Sequence, residues 1–360
     1  MRCGVGDYTA RLAEALSEDA GMKVSVLTSE TDSLQETRAG GPHISRTVSG
    51  WNIRDLRQII GAVRQSRPDI IHLQFPTQGY KVLNGIALVP CLARMLLRVP
   101  VVLTWHEYVP PTFSSAARYM CVMALCADVI VVVRPDYRAR MHGLIKGLLG
   151  RKPIRFIPNA SIIPRAVLSP HERRTIRERL GCGTAKLVVF FGFSFPHKGV
   201  DLLFQIADPR QHHLLIIGEL SPQDSYHSRL LQLAQSTEWK GKVTIAGFVE
   251  AAEAGKMLAA ADAAVFPFLD GGGRWNSSLH AAASQGTFVV TTSSETNGYD
   301  GDANIYYARP NAVAEMRQAL LAYQGVRRDG DGATGDPWLE VAKAHKELYS
   351  SLLNNEDGCS

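Results

Sequence analysis

The sequence predicts an α/β protein made of two doubly wound, Rossmann-like domains, and three observations carry that reading. Ten apolar, β-rich runs alternate with helical patterns along the chain. The runs are continuous in Val, Ile and Leu rather than alternating with polar residues, as parallel strands buried on both faces require. The series breaks once, at residues 162–167, where Pro164 and then Ser169-Pro170 interrupt it before a charged helical segment. A length of 360 residues with 46% hydrophobic content suits two domains, expected at 1–164 and 165–337.

In chain order, a glycine turn comes first: Cys3-Gly4-Val5-Gly6-Asp7-Tyr8-Thr9, followed by the helical ARLAEAL. Strands are expected at 23–29, 69–75, 99–105, 128–133 and 153–158. No strand precedes the first glycine turn, although in a doubly wound sheet that strand is usually central. The first domain is therefore expected to lack its first strand, leaving the strands at 23–29 and 69–75 without a shared neighbour. Either the true start lies upstream or another segment fills the gap.

The second domain opens with the charged helix HERRTIRERL, and its strands are expected at 186–192, 213–218, 242–248, 263–268 and 287–292. Two of its turns carry chemistry. After the strand LVVFFG comes a short Gly/Ser/Pro loop leading into a helix with Lys198. After AAVFPF comes LDGGGRWNSS, then a helix of small residues. A strand, a glycine turn and a helix N-terminus together form an anion site, because free N–H groups point outward and glycines allow close approach. Two such loops at the carboxyl ends of neighbouring strands would converge on one phosphorylated ligand. Residues 324–336 read as an exposed, mobile loop. A last helix runs from Pro337 to about Leu353, with Trp338, Val341, Ala342, His345, Leu348, Tyr349 and Leu352 at helical spacing.

Composition narrows the function classes. No run of eighteen apolar residues is present, so no transmembrane helix is expected. The six cysteines, Cys3, Cys91, Cys121, Cys126, Cys182 and Cys359, show no CxxC pairing, which points to reduced thiols in a cytoplasmic protein and away from zinc. His212 and His213 are adjacent, so on a strand they face opposite ways and make a poor metal pair. Residues 1–165 carry 21 Lys/Arg against 12 Asp/Glu, and the remainder 18 against 22. The basic half is a candidate for contact with an anionic membrane, a lipid diphosphate or an acidic glycan; it also fits a plain solvated face. Residues 88–97 and 134–155, where basic and apolar side chains mix, are the segments that would lie on lipid.

Taken in order, several motifs resemble a family 4 glycosyltransferase. They are the first glycine turn, Arg67-Pro68-Asp69-Ile70-Ile71-His72-Leu73-Gln74-Phe75-Pro76, Thr104-Trp105-His106-Glu107, Phe191-Gly192 through Lys198-Gly199, Ala261-Asp262 with Phe266-Pro267, and Gly286-Thr287-Phe288-Val289-Val290. The resemblance spans nearly the whole chain and implies the GT-B fold, two such domains facing a cleft. It implies a retaining, metal-independent transferase moving a hexose from a nucleotide-diphosphate sugar, with no cofactor, to a glycan or lipid-linked acceptor. It also implies that the terminal helix, 338–354, crosses back to the N-terminal domain.

Lys198 is the leading catalytic candidate. A cation at a helix start opposes the dipole and is sensible only beside an anion, here a diphosphate leaving group. Phe193 and Phe195 stand where the family often has an arginine. Arg274 is a candidate replacement for that charge. The family's two glutamates would align with Gly273 and Ala281, so both are missing; the subset with an aspartate-glycine, a basic residue and a serine-leucine fits better. On that reading Asp270 contacts donor hydroxyls, while Ser277, Ser278 and the amides near Leu279 hold the diphosphate; Asn276 at the helix start and Gly192 and Ser194 in the loop before Lys198 are further donor-binding candidates. His106 resembles a histidine placed near the donor sugar, and Gly4 and Gly6 would lie over the diphosphate. A catalytically degenerate transferase is the main alternative. A dinucleotide oxidoreductase fits the architecture but lacks the GxGxxG fingerprint.

Overall fold

The computed structural model describes residues 4–19, 22–30, 40–76, 80, 85–106, 115–141, 143–150, 152–272, 276–328 and 336–356. It divides into two compact units, Met1–Ala160 with Gly335–Ser360, and Ser161–Thr334.

In the first unit, strands β1 (Ser25–Ser29) and β2 (His43–Val48) form a parallel pair of their own. Strands β3 (Ile71–Phe75), β4 (Val101–Trp105), β5 (Val129–Val132) and β6 (Ile154–Phe156) form a separate parallel sheet in that order. Among the described residues no strand pairs with both β1 and β3, so the two strands lack a common neighbour as expected. Gly4 and Gly6 depart from the sequence reading. They lie in the first turn of the N-terminal helix Gly4–Asp19, not in a loop. The C-terminal helix Pro337–Glu356 packs on that helix within the same unit. The core gathers Leu73, Phe75, Leu103, Trp105, Met123, Ile130 and Tyr137. Each such side chain contributes about 1.5–3 kcal/mol on burial.

The second unit is a seven-stranded sheet. Its strands are β7 (Lys186–Phe191), β8 (His212–Ile217), β9 (Val243–Ile245), β10 (Ala263–Phe266), β11 (Val289–Thr292), β12 (Gly298–Asp300) and β13 (Ile305–Ala308). The order is β12-β13-β11-β10-β7-β8-β9, with only the β12–β13 pairing antiparallel. Strands β7, β8, β10 and β11 are almost wholly buried, which accounts for their unbroken apolar sequences. The charged helix Pro170–Arg179 begins on a reciprocal cap, in which Ser169 Oγ accepts from Glu172 N and Glu172 accepts from Ser169 N. The adjacent histidines of β8 do point apart, His212 to Gln324 and His213 to Thr244.

Two further expectations are corrected. Cys91 and Cys126 form a disulfide. The helical turn Val89–Leu92 packs against helix Ser115–Cys126, and this packing brings together residues that are 35 apart in sequence. Cys121 and Cys182 are free and buried, whereas Cys3 and Cys359 lie outside the described residues. The start of the 324–336 loop is pinned. Arg327 forms an isolated bridge with Thr287 and donates to the carbonyls of Ala259, Ala261 and Gln285, while Arg328 N–H donates to Gly286 O.

Candidate functional site

The chain leaves β7 toward β8 and leaves β10 toward β11, on opposite sides of the sheet. The carboxyl ends of these two paired, parallel strands are therefore the switch point of the second unit, where doubly wound folds bind ligands. Both predicted loops start there.

The loop after β7 is drawn tight by glycine. Gly192 has φ +130°, and a Cβ on it would come within 2.8 Å of Ser278 Oγ. A Cβ on Gly218, at the end of β8, would meet Gly192 O at 2.3 Å. Side chains at either position would push the loop, the end of β8 and the start of helix Ser277–Ala283 apart. The Ser194 carbonyl accepts from His227 Nε2 at 3.1 Å, while His227 Nδ1 accepts from Ser221 N. Ser194 itself is 2% exposed, and its hydroxyl has no partner among the described residues. The backbone is thus fixed and one buried hydroxyl remains spare.

Lys198 closes a short 3₁₀ turn, Pro196–Lys198. The sequence reading expects a helix here. Instead, Gly199 in the left-handed region (φ +62°) separates this turn from a second one, Val200–Leu202, and only Leu203–Ile206 is α-helical. Leu269 N–H donates to His197 O, joining this loop to the one after β10. Lys198 Nζ sits 4.5 Å from the centroid of the Phe268 ring. Burial lowers the pKa of His197, the Lys198 cation lowers it further, and the Asp270 carboxylate opposes both. Both charges therefore lie near this imidazole. Phe193 and Phe195, 60% and 47% exposed, stack on one another, and Phe195 stacks on His197.

In the second loop, Asn276 Oδ1 accepts from Ser278 N at 3.0 Å and caps helix Ser277–Ala283. Ser277 is exposed, Ser278 lies against Gly192, and Leu279 is buried. The amide of Ser278 is thereby occupied within the loop. Asp270 is exposed. Arg274, together with Gly273, lies outside the described residues. Sequence reasoning missed Gly218, His227 and Phe268. Only Gly218, ending the apolar run HLLIIG, had a visible signal.

In the first unit, His106 N–H donates to Phe75 O, extending β4 by one residue. His106 Nε2 lies 2.8 Å from Gln74 Oε1, and the ring of Tyr8 meets the imidazole edge-on at 4.7 Å. Burial pushes the His106 pKa down to about 3, with nearby His345 adding to the fall. His106 is therefore neutral at neutral pH, suited to hydrogen bonding rather than to acting as a cation. Glu107 lies outside the described residues. Among those described, no group of three or more His, Cys, Asp or Glu is placed to hold a metal ion, and no helix is long and apolar enough to cross a membrane.

Residues 3–160 match the family described as glycosyl transferase 4-like domain, and residues 172–299 match glycosyl transferases group 1. No curated protein sequence matches the chain. Among solved structures it is similar to Anabaena HepE in complex with UDP and glucose, with a TM-score of 0.67 at 16% identity, covering 99% of this chain and 95% of that one. Sucrose-phosphate synthase from Thermosynechococcus elongatus gives 0.68 at 18% identity, covering 99% and 94%. WaaG, a glycosyltransferase involved in lipopolysaccharide biosynthesis, gives 0.59 at 15% identity, covering 98% and 95%.

Proposed function

The chain belongs to the group 1 glycosyltransferases of family 4, with the GT-B fold, and from that premise we propose that it is a retaining, metal-independent hexosyltransferase. It would use a nucleotide-diphosphate sugar, without a cofactor, and a glycan or lipid-linked acceptor. The observation that carries this reading is the pair of loops at the ends of β7 and β10, tied together around Gly192 and Ser278, with Lys198 and a spare buried Ser194 hydroxyl. HepE has been crystallised with UDP-glucose as well as with UDP and glucose, which supports a UDP-hexose donor.

In this reading Lys198 and Arg274 neutralise the diphosphate as the glycosidic bond breaks. Lys198 leaves the Phe268 face to do so, giving up a contact of about 0.5–2 kcal/mol. A charge-assisted hydrogen bond to phosphate, roughly twice as strong as a neutral one, offsets that loss. Ser194, Ser277 and Ser278 supply further donors, and preorganised positive potential replaces a metal ion. Asp270 and His106 bind donor sugar hydroxyls. The acceptor hydroxyl attacks from the face the diphosphate leaves, and the departing phosphate takes its proton. Gly4 and Gly6, now in a helix turn, would act through the amides of that turn, and Asn276 through its cap on Ser278. The amide of Leu279 remains a candidate donor. Exposed apolar residues beside basic ones in the first unit support peripheral contact with an anionic membrane, on its cytoplasmic face, where a lipid-linked acceptor would reside.

A second reading, nucleotide-sugar binding without turnover, is favoured by Ala281, fully buried where many members carry a glutamate. Calorimetric titration with UDP, GDP, ADP and their common sugars separates the possibilities, run on the wild type, Lys198→Ala, Arg274→Ala and Arg151→Ala. Micromolar binding of one nucleotide, lost in the first two variants and retained in the third, supports the assignment. Equal effects of Arg274→Ala and Arg151→Ala would refute the role of Arg274. Binding of a nucleotide sugar with no nucleoside diphosphate released on adding acceptors would favour the second reading.

A further inference from the structure

Gln74 in β3 is 8% exposed and lies between two imidazoles. Its Oε1 is 2.8 Å from His106 Nε2, and its Nε2 is 3.1 Å from His72 Nε2. An amide oxygen only accepts, and an amide nitrogen only donates. His106 Nε2 therefore carries its proton and donates to Gln74, whereas His72 Nε2 is bare and accepts. Burial lowers the pKa of both rings, so both are neutral at neutral pH, and a neutral imidazole has a single N–H. His106 Nδ1 must then be a bare acceptor, and His72 must hold its proton on Nδ1. That nitrogen is 2.7 Å from Tyr349 Oη on the C-terminal helix, which accepts from it. Thr104 Oγ1, 2.7 Å from His72 Nε2, donates to the same lone pair as Gln74.

We propose that Gln74 is a positioning residue that couples the tautomers of His72 and His106, so that the tautomer of His72, which is bonded to Tyr349 on the C-terminal helix, fixes which nitrogen of His106 offers a lone pair. A proton moved from Nδ1 to Nε2 of His72 would face the Gln74 N–H. The amide would have to rotate by half a turn, presenting N–H to His106 Nε2 and forcing that proton to Nδ1. The two rings thus change together or not at all. With Nε2 engaged, the bare Nδ1 of His106 suits a sugar hydroxyl that donates to it, whereas the other tautomer would present an N–H. This last step rests on the proposed role of His106 in donor binding; the coupling does not.

The test uses the full chain labelled with ¹⁵N-histidine, with long-range ¹H–¹⁵N spectra near neutral pH and signals assigned through His72 and His106 substitutions. The wild type should show His106 protonated on Nε2 and His72 on Nδ1. In Gln74→Glu the carboxylate accepts at both ends, so His72 Nε2 should acquire a proton while His106 keeps its own. Gln74→Leu and Tyr349→Phe should each turn the single His106 tautomer into a mixture. The opposite tautomers in the wild type, or a His72 whose Nε2 stays bare in Gln74→Glu, would overturn the coupling, and Gln74→Glu keeps the test decisive if Gln74→Leu fails to fold. Release of nucleoside diphosphate from the donor gives a second readout. Gln74→Leu should lower kcat by about tenfold or more with the donor KM little changed, as expected of a misplaced orienting group. Tautomers that shift as described with kcat unmoved would remove His106 from the chemistry while leaving the coupling intact.

Discussion

Asp262 holds the amino end of β10 in place. Its carboxylate accepts from Leu187 N at 2.7 Å and from Arg177 at 2.6 Å, with Arg173 at 3.3 Å, and its carbonyl accepts from Gly325 N. Removing one partner of a buried ion pair costs about 3–5 kcal/mol. Arg173 and Arg177 keep carbonyl partners at Ala261 and Ala185, so Asp262→Ala should fall near the low end of that range, about 3 kcal/mol by chemical denaturation. A change below about 1 kcal/mol, as for a typical surface ion pair, would refute the role. The sequence offered Ala261-Asp262 only as part of a pattern, because Arg173 and Arg177 lie 89 and 85 residues away. The histidines of the first unit give a prediction of the opposite kind. Burial lowers the pKa of His106 to about 3 and of His345 to about 4, and holds that of His72 well below 6.5. Folded pKa values below the unfolded ones mean that the stability is fully present above pH 6.5. It is lost as pH falls, because the unfolded chain binds protons that the fold excludes. Each histidine adds a slope of up to about 1.4 kcal/mol per pH unit between its two pKa values. Stability should therefore fall steeply from pH 6.5 toward pH 4, and His345→Leu should flatten the slope of Tm against pH. An unchanged slope would show that His345 titrates normally in the fold.

At the scale of elements, apolar runs made ten strands legible, most plainly in β4, β5, β7, β8, β10 and β11, where burial on both faces favours apolar residues. Strand β2 (HISRTV) was hidden by its alternating Ser45 and Thr47, and β12 (GYD) and β13 (IYYA) by their lack of a Val/Ile/Leu run. The disulfide was hidden because Cys91 and Cys126 meet only through helix packing. Loops at the switch point were legible in place but not in shape. The sequence shows Pro196 and Gly199 but not that Gly199 would take up the left-handed region and divide the helix after Lys198. That geometry can be tested against a second glycine. A Cβ on Gly199 would meet Pro267 O at 2.3 Å, whereas one on Gly183, also left-handed at φ +53°, meets nothing within 4 Å. Gly183→Ala should cost about 1–2 kcal/mol for conformation alone. Gly199→Ala should cost more, and should also weaken nucleotide binding by displacing Lys198. Equal losses of stability in the two variants would mean that the loops after β7 and β10 can separate freely.

For the whole molecule, the excess positive charge of the first half gains a location. Residues 85–160 hold ten Lys/Arg against three Asp/Glu. Within that stretch Met95, Leu96, Leu125 and Leu148 are 76%, 63%, 44% and 50% exposed. They belong to neighbouring parts of one unit. Arg94, next to Met95, pairs with Asp128, and Lys152 donates to Leu125 O and Ala127 O. Helix Ser115–Cys126 also packs on helix Gly143–Leu149, which carries Leu148. Isolated exposed leucines are ordinary, but a group of them beside basic residues fits an anionic bilayer, each cation near the surface adding about 1 kcal/mol. Arg94, Lys146 and Lys152 already have partners in the protein, Asp128 for the first and main-chain carbonyls for the other two, which reduces what they offer to lipid. Arg98, exposed beside Met95 and Leu96, should carry more of the attraction. The full chain should therefore co-sediment with phosphatidylglycerol vesicles at about 0.1 M salt and release at about 1 M, where the screening length shrinks to about 3 Å. Arg98→Glu should weaken the salt-sensitive part. Met95→Glu with Leu96→Glu should weaken binding at every salt concentration, because the apolar contribution is not screened. Binding that is absent, or equal on phosphatidylcholine vesicles, would leave this face as a solvated surface.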